Sequence, residues 1–132
     1  MTKTVIYQDI NIEPFLRAIA QFHKYSQNLT DEQYQAGAIQ AFEYYYELSW
    51  KYIKKVLEKH DIKTESSRSA FREAARIGLI SNPTQWFNFV ELRNITVHTY
   101  NEATVEKIIA IFPEFKAALA ELINNLQKEI IA

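Results

Sequence analysis

The sequence predicts an all-α protein, an antiparallel bundle of four to five helices, on three observations. Only two glycines and three prolines occur in 132 residues, too few turn residues for the repeated hairpins of an all-β chain. Apolar side chains recur every three or four positions through most of the length, the period of a helix that buries one face. Nothing between Thr30 and Asp61 stops a helix, which allows a rod of roughly 45 Å at 1.5 Å per residue. With 48% hydrophobic residues the chain is long enough to enclose a core but too short for two, so residues 1–132 read as one domain.

The first helix is expected to begin between Asn11 and Pro14, because proline suits an opening helical turn, and to end near Asn28. Ile12, Phe15, Ile19 and Phe22 fall on one face of it. Thr30, with Gln33 three residues on, reads as a capping box that opens the second helix. Two apolar rows run along this helix, one through Tyr34, Ala38, Ala41, Tyr45, Leu48 and Tyr52, the other through Ile39, Phe42, Tyr46, Trp50, Ile53 and Leu57. It must therefore pack on two sides. Gly37 weakens the helix locally but removes side-chain bulk, which lets a neighbour approach. The third helix starts at Ser66 or Ser67 and stops at Gly78. Asn82 followed by Pro83 caps and opens a fourth. Asn101 caps the last, whose apolar residues Val105, Ile108, Phe112, Phe115, Leu119, Leu122 and Leu126 keep their rhythm across Pro113, so a kink is expected there in place of a break.

No cysteine is present, which excludes a disulfide framework, a thiol nucleophile and a Cys-ligated zinc site. The first twenty residues are interrupted by Lys3, Asp9, Glu13 and Arg17. That pattern fits neither a signal-peptide core nor a membrane span, and a cytoplasmic protein is the expectation. Net charge is −1, but it is unevenly spread. Residues 51–76 hold eight Lys/Arg against four Asp/Glu, whereas residues 1–50 come to −3. The basic zone either attracts phosphate or is an ordinary solvated face.

The chemistry-bearing residues concentrate in Arg93-Asn94-Ile95-Thr96-Val97-His98-Thr99-Tyr100, at the end of the fourth helix. Five residues of regular helix put Arg93 and His98 about 140° apart around the axis and about 7.5 Å apart along it. Asn94 and His98 then share one face, Arg93 and Tyr100 another. Arginine offers a planar fork of donors for phosphate, and histidine exchanges protons near neutrality. Cleavage of an RNA phosphodiester needs those services: a base for the 2′-hydroxyl, an acid for the leaving oxygen and a cation for the charge on phosphorus. One copy of the segment brings one histidine. Two copies across a two-fold axis bring both acid and base without a metal. A metal site is disfavoured, since Glu91 and Glu102 are the acids nearest His98 in sequence, and His23 and His60 read as surface or packing residues. The alternative for the whole segment is structural: a histidine on the helix dipole and an arginine in an ion pair.

These residues resemble the mark of the HEPN superfamily, specifically its HepT-like proteins, also called nucleotidyltransferase substrate-binding subunits. That mark is Arg, four to six residues, then His, commonly with Asn after the Arg and Tyr two past the His. Here it reads Arg93, Asn94, His98, Tyr100. The blocks FEYYYELSWKYIKKVLE (42–58), SRSAFREAARIGLI (67–80) and Trp86 also follow the family in order, whereas the first ten residues match nothing in it. The resemblance implies a homodimeric helical bundle encoded beside a minimal nucleotidyltransferase. It implies a metal-independent ribonuclease toxin that needs no cofactor, with Arg93 and His98 catalytic at the dimer interface and Asn94 supporting them. It further implies AMP attachment to Tyr100 by the partner, a bulky anion that would obstruct RNA entry and occupy Arg93. The family's other name implies the competing role, a noncatalytic subunit that holds substrate or nucleotide for the nucleotidyltransferase.

Two lesser features accompany the motif. Arg68, Arg72 and Arg76 recur every four residues; such a stripe guides an RNA backbone or pairs with acids such as Glu65 and Glu73. Trp50 and Trp86 stack on bases or, as aromatic residues at helical spacing usually do, pack in the core; packing is expected of both.

Overall fold

The computed structural model describes residues 5–6, 10–99 and 101–128. Two short strands, β1 (Val5–Ile6) and β2 (Ile10–Asn11), pair antiparallel ahead of the helices. Six helices follow: α1 (Glu13–Tyr25), α2 (Glu32–Lys59), α3 (Ser67–Arg76), α4 (Pro83–Ile95), α5 (Glu102–Ala110) and α6 (Phe112–Lys128), with a 3-10 turn at Thr96–His98 between α4 and α5. The helical bundle expected from composition is there. Its helix count rises because the last predicted helix is two.

That division is the work of Pro113. Its ring has no N–H and crowds the carbonyl four residues back, so α5 closes with an i−3 bond from Ile111 N to Ile108 O. A new ladder then starts from Phe115 N to Ile111 O. The expected kink is thus a break, yet Ile108, Phe112, Phe115, Leu119, Leu122 and Leu126 all stay buried. The apolar rhythm carries through the interruption because one residue separates the two helices.

Other boundaries shift for local reasons. α1 stops at Tyr25, earlier than expected, where Ser26 N and Ser26 Oγ both donate to Phe22 O. Asp31, and not Thr30, caps α2: its Oδ1 accepts from Gln33 N at 2.8 Å and from Tyr34 N at 3.3 Å. A carboxylate at this end gains from the helix dipole as well as the bond. Ser66 caps α3 in a box with Ser69. Gly78 ends that segment in the left-handed region, φ 86°, with Leu79 N returning to Ala74 O at 2.8 Å. Asn82 and Asn101 cap α4 and α5 as their positions suggested.

α2 is the axis of the bundle, in contact with α1, α3, α4 and α5. Both of its predicted rows are buried over Ala38, Ile39, Phe42, Tyr45, Tyr46, Tyr52, Ile53 and Leu57. The core is aromatic: Phe115 meets Phe42, Phe89, Phe22 and Trp86 edge-on with ring centroids 4.7–6.2 Å apart. Gly37 lies under the Tyr25 ring, where an added Cβ would stand 2.7 Å from Cδ1. The close approach anticipated at this glycine is that of the last side chain of α1. At the other end of α1, the Tyr52 hydroxyl donates to Asn11 O at 2.7 Å and ties β2 to the long helix.

Candidate functional site

α4 delivers the motif to the surface beside α2, and Thr96 decides how the helix ends. Its backbone N–H and its hydroxyl both go to Arg93 O, the hydroxyl at 2.7 Å. With three consecutive β-branched residues at Ile95, Thr96 and Val97, the last turn tightens to 3-10. This corrects the regular-helix geometry. At about 120° and 2 Å per residue in the tightened turn, His98 lies about 9 Å along the axis from Arg93, and Asn94 and His98 lose their shared face. Tyr100 lies outside the described residues.

Arg93 is turned toward α2 with its side chain 29% exposed. Its Nη1 donates to Thr96 Oγ1 at 3.2 Å and stands 3.7 Å from Glu43 Oε2; its Nε is 3.4 Å from Glu47 Oε1. The guanidinium borders two hollows. One, of about 380 Å³, lies between Tyr44, Glu47, Leu48 and Lys51 of α2 and Arg93. The other, of about 410 Å³, brings Arg93 and Asn94 together with Trp50 and with Ser66 and Ser67 at the start of α3. His98 is exposed on the 3-10 turn, and its backbone oxygen accepts from Asn101 N at 3.1 Å. Next to it, Thr99 borders a further hollow with Glu32, Gln35 and Glu102. The monomer thus groups Arg93 with Asn94 and sets His98 on the adjoining turn.

The arginine stripe of α3 is engaged with α4 and with itself. Arg68 forms an ion pair with Glu91, and the guanidinium groups of Arg68 and Arg72 lie 5.5 and 5.3 Å from the Phe87 ring centroid. Arg76 pairs with Glu73 at 2.7 Å, as anticipated, whereas Glu91 takes the part for Arg68 that Glu65 was expected to share. Trp86 is core, 1% exposed. Trp50 is half-buried: its indole Nε1 donates to Glu47 Oε2 at 3.1 Å and Lys54 Nζ lies 5.7 Å from its ring. Packing explains Trp86 fully and Trp50 in part, since the latter also lines the hollow next to Arg93. His23 and His60 are exposed. No group of three or more His, Cys, Asp or Glu positioned to hold a metal ion occurs among the described residues. None of the helices is long and apolar enough to cross a membrane among the same residues.

Sequence reasoning missed Glu43, Glu47 and Thr96. Glu43 and Glu47 are one turn apart on α2, a spacing visible in the chain, but only tertiary packing shows that they face α4. Burial acts on the tyrosines beside them: it pushes the Tyr46 hydroxyl above its ordinary value, against the opposing influence of a Ser67 hydrogen bond and of Arg93.

A helical bundle with an exposed Arg-Asn-x3-His segment at the end of its fourth helix is the class that fold and site define. Residues 10–128 match the family model described as nucleotidyltransferase substrate binding protein like, and the chain belongs to that family. A Haemophilus influenzae protein named "Probable ribonuclease HepT" is 40% identical over 91 residues, covering 65% of this chain and 60% of that protein. The chain therefore spans about 60% of the length of this curated relative. Among solved structures, the substrate binding domain of a nucleotidyltransferase from Haemophilus influenzae superposes with a TM-score of 0.80 at 27% identity, over 89% of this chain and 99% of that one. A protein from Thermus thermophilus gives 0.79 at 27% identity, over 85% and 98%.

Proposed function

We propose that this protein is a HepT-like, metal-independent endoribonuclease and the toxin of a pair with a minimal nucleotidyltransferase. What carries the reading is the placement of Arg93 and His98 on one accessible segment: a guanidinium bordering two open hollows and an imidazole on the exposed turn that follows. The relative named as a ribonuclease supports it.

In this mechanism two copies of the chain bring their α4 ends together. One His98 takes the proton of the 2′-hydroxyl, its oxygen attacks phosphorus, and the second His98 gives a proton to the departing 5′-oxygen. Arg93 stabilises the negative charge that builds on the phosphoryl oxygens, and Asn94 orients the groups beside it. Arg68, Arg72 and Arg76 attract the RNA backbone from the flank of α3. The neighbouring nucleotidyltransferase attaches AMP to Tyr100, two residues past His98, and silences cleavage.

The test is RNA cleavage by purified, AMP-free protein in EDTA. Arg93→Ala and His98→Ala are each expected to abolish cleavage and cellular toxicity with the helical signal intact. Co-production with the partner is expected to add one AMP mass to the peptide holding Tyr100; its absence counts against that control.

A second reading has its own support. The family description and the superposable Haemophilus domain both concern substrate binding, and Arg93 borders two open hollows, where a guanidinium can hold a phosphate without cleaving it. Failure of the wild-type protein to cut RNA, together with nucleotide binding that depends on Arg93, would make the noncatalytic subunit the correct assignment.

A further inference from the structure

The motif arginine is held by a different helix. Glu43 and Glu47 stand one turn apart on α2, so their carboxylates project from one face toward α4. Glu47 Oε1 is 3.4 Å from Arg93 Nε, and Glu43 Oε2 is 3.7 Å from Arg93 Nη1. Glu47 is anchored in turn, because its second oxygen accepts from Trp50 Nε1 at 3.1 Å. Trp50, Glu47 and Arg93 therefore form a chain of contacts that reaches from α2 to the motif.

The grip is loose. Both separations exceed the 2.7–2.9 Å of a charge-assisted hydrogen bond. The Arg93 Nε is buried, and among the described residues it finds no acceptor in hydrogen-bonding geometry. Arg93, Glu43 and Glu47 are 29%, 35% and 40% exposed, so water screens the pairs only in part. Two carboxylates face Arg93 and Lys51 around the same hollow, and their charges balance. An arriving phosphate meets a cation whose charge is already answered, while the buried, unbonded Nε leaves that answer incomplete.

We propose that Glu43 and Glu47 are positioning residues for Arg93: they aim the guanidinium into the hollow between α2 and α4 and counter its charge until a phosphate-bearing ligand displaces them. The proposal rests on the reading of Arg93 as the phosphate-binding cation. Glu47, fixed by Trp50, sets orientation; Glu43, the more distant, is the first to yield. The device makes ligand binding weaker than a bare arginine would allow and the bound geometry better defined.

The experiment measures modification of Arg93 by phenylglyoxal, followed by peptide mass spectrometry on the full chain and on Glu43→Gln, Glu47→Gln and the double variant. Glu43 and Glu47 stand against the guanidinium nitrogens that phenylglyoxal must reach, so loss of these pairs is expected to speed modification of Arg93 about fivefold, the factor of a lost partly exposed ion pair. The peptide holding Arg17 is the internal reference. Equal Arg93 rates in all four proteins would overturn the proposal. Should the double variant fail to fold, the single Glu43→Gln change gives the same readout. This arm needs no ribonuclease activity, so an inactive wild type counts against the cleavage reading and leaves the clamp on trial. Where cleavage is present, Glu47→Gln is expected to lower KM and kcat together, and Glu47→Asp to recover kcat; a fall in kcat with KM unchanged would mean a purely structural role.

Discussion

Thr96 shows how much one side chain decides. It is 5% exposed, and its hydroxyl donates to Arg93 O and accepts from Arg93 Nη1, so it sets both the end of α4 and the direction of the guanidinium. Thr96→Val keeps the shape and removes both bonds. It is expected to cost about 1–2 kcal/mol in urea unfolding and to weaken whatever anion binding Arg93 provides. Tyr45 is a second residue with a measurable consequence. Burial raises its hydroxyl from 10.0 to about 12, so the folded chain keeps a proton that the unfolded chain releases. Its stabilising contribution is full below pH 10, falls as pH rises from there through about 12, and is on the order of 2–3 kcal/mol. Tyrosinate absorbance during an alkaline titration should show Tyr45→Phe lacking a late-titrating group and retaining more stability above pH 10.

At the scale of elements, the caps carry the boundaries. Asp31, Ser66, Asn82 and Asn101 each satisfy backbone donors at a helix start, and each lies within one residue of where residue type alone points. Gly78 is the matching stop, and no atom lies within 4 Å of an added Cβ there. Gly78→Ala thus isolates the backbone cost of the left-handed conformation, expected as a loss of about 1 kcal/mol in denaturant unfolding. Gly37 differs, since a Cβ there strikes the Tyr25 ring. Gly37→Ala gains helix propensity of about 1 kcal/mol against overpacking of about 1–3 kcal/mol, so net destabilisation is expected, with Tyr25→Ala rescuing it. The break before α6 is the element least legible in the chain, because the apolar rhythm runs on across Pro113 and only the hydrogen-bond ladder records the change.

For the whole molecule, the proposed chemistry requires a second copy, because one chain sets a single His98 on its 3-10 turn. Val97 is 69% exposed and Tyr44 54%, apolar surface on the motif and on the rim of the Arg93 hollow that suits such contact. Sedimentation equilibrium is expected to give a dimer, and Val97→Glu to shift it toward monomer with loss of cleavage. A monomeric, active wild type would contradict a cleft shared by two histidines. Val97 is exposed and takes no part in the aromatic core built on Phe115, so Val97→Glu should leave thermal stability of the monomer near its original value.

The helical class, five of the six helix positions and the Arg93–Asn94–His98 segment were set by local information: period, caps and residue chemistry act over a few positions and are written directly in the chain. What α4 meets when it packs is a different matter. That Glu43 and Glu47, fifty and forty-six residues before Arg93, face it and that Arg68 pairs with Glu91 depend on which helix faces lie together. Such contacts join residues distant in sequence, and no local pattern encodes the packing angle that brings them within reach.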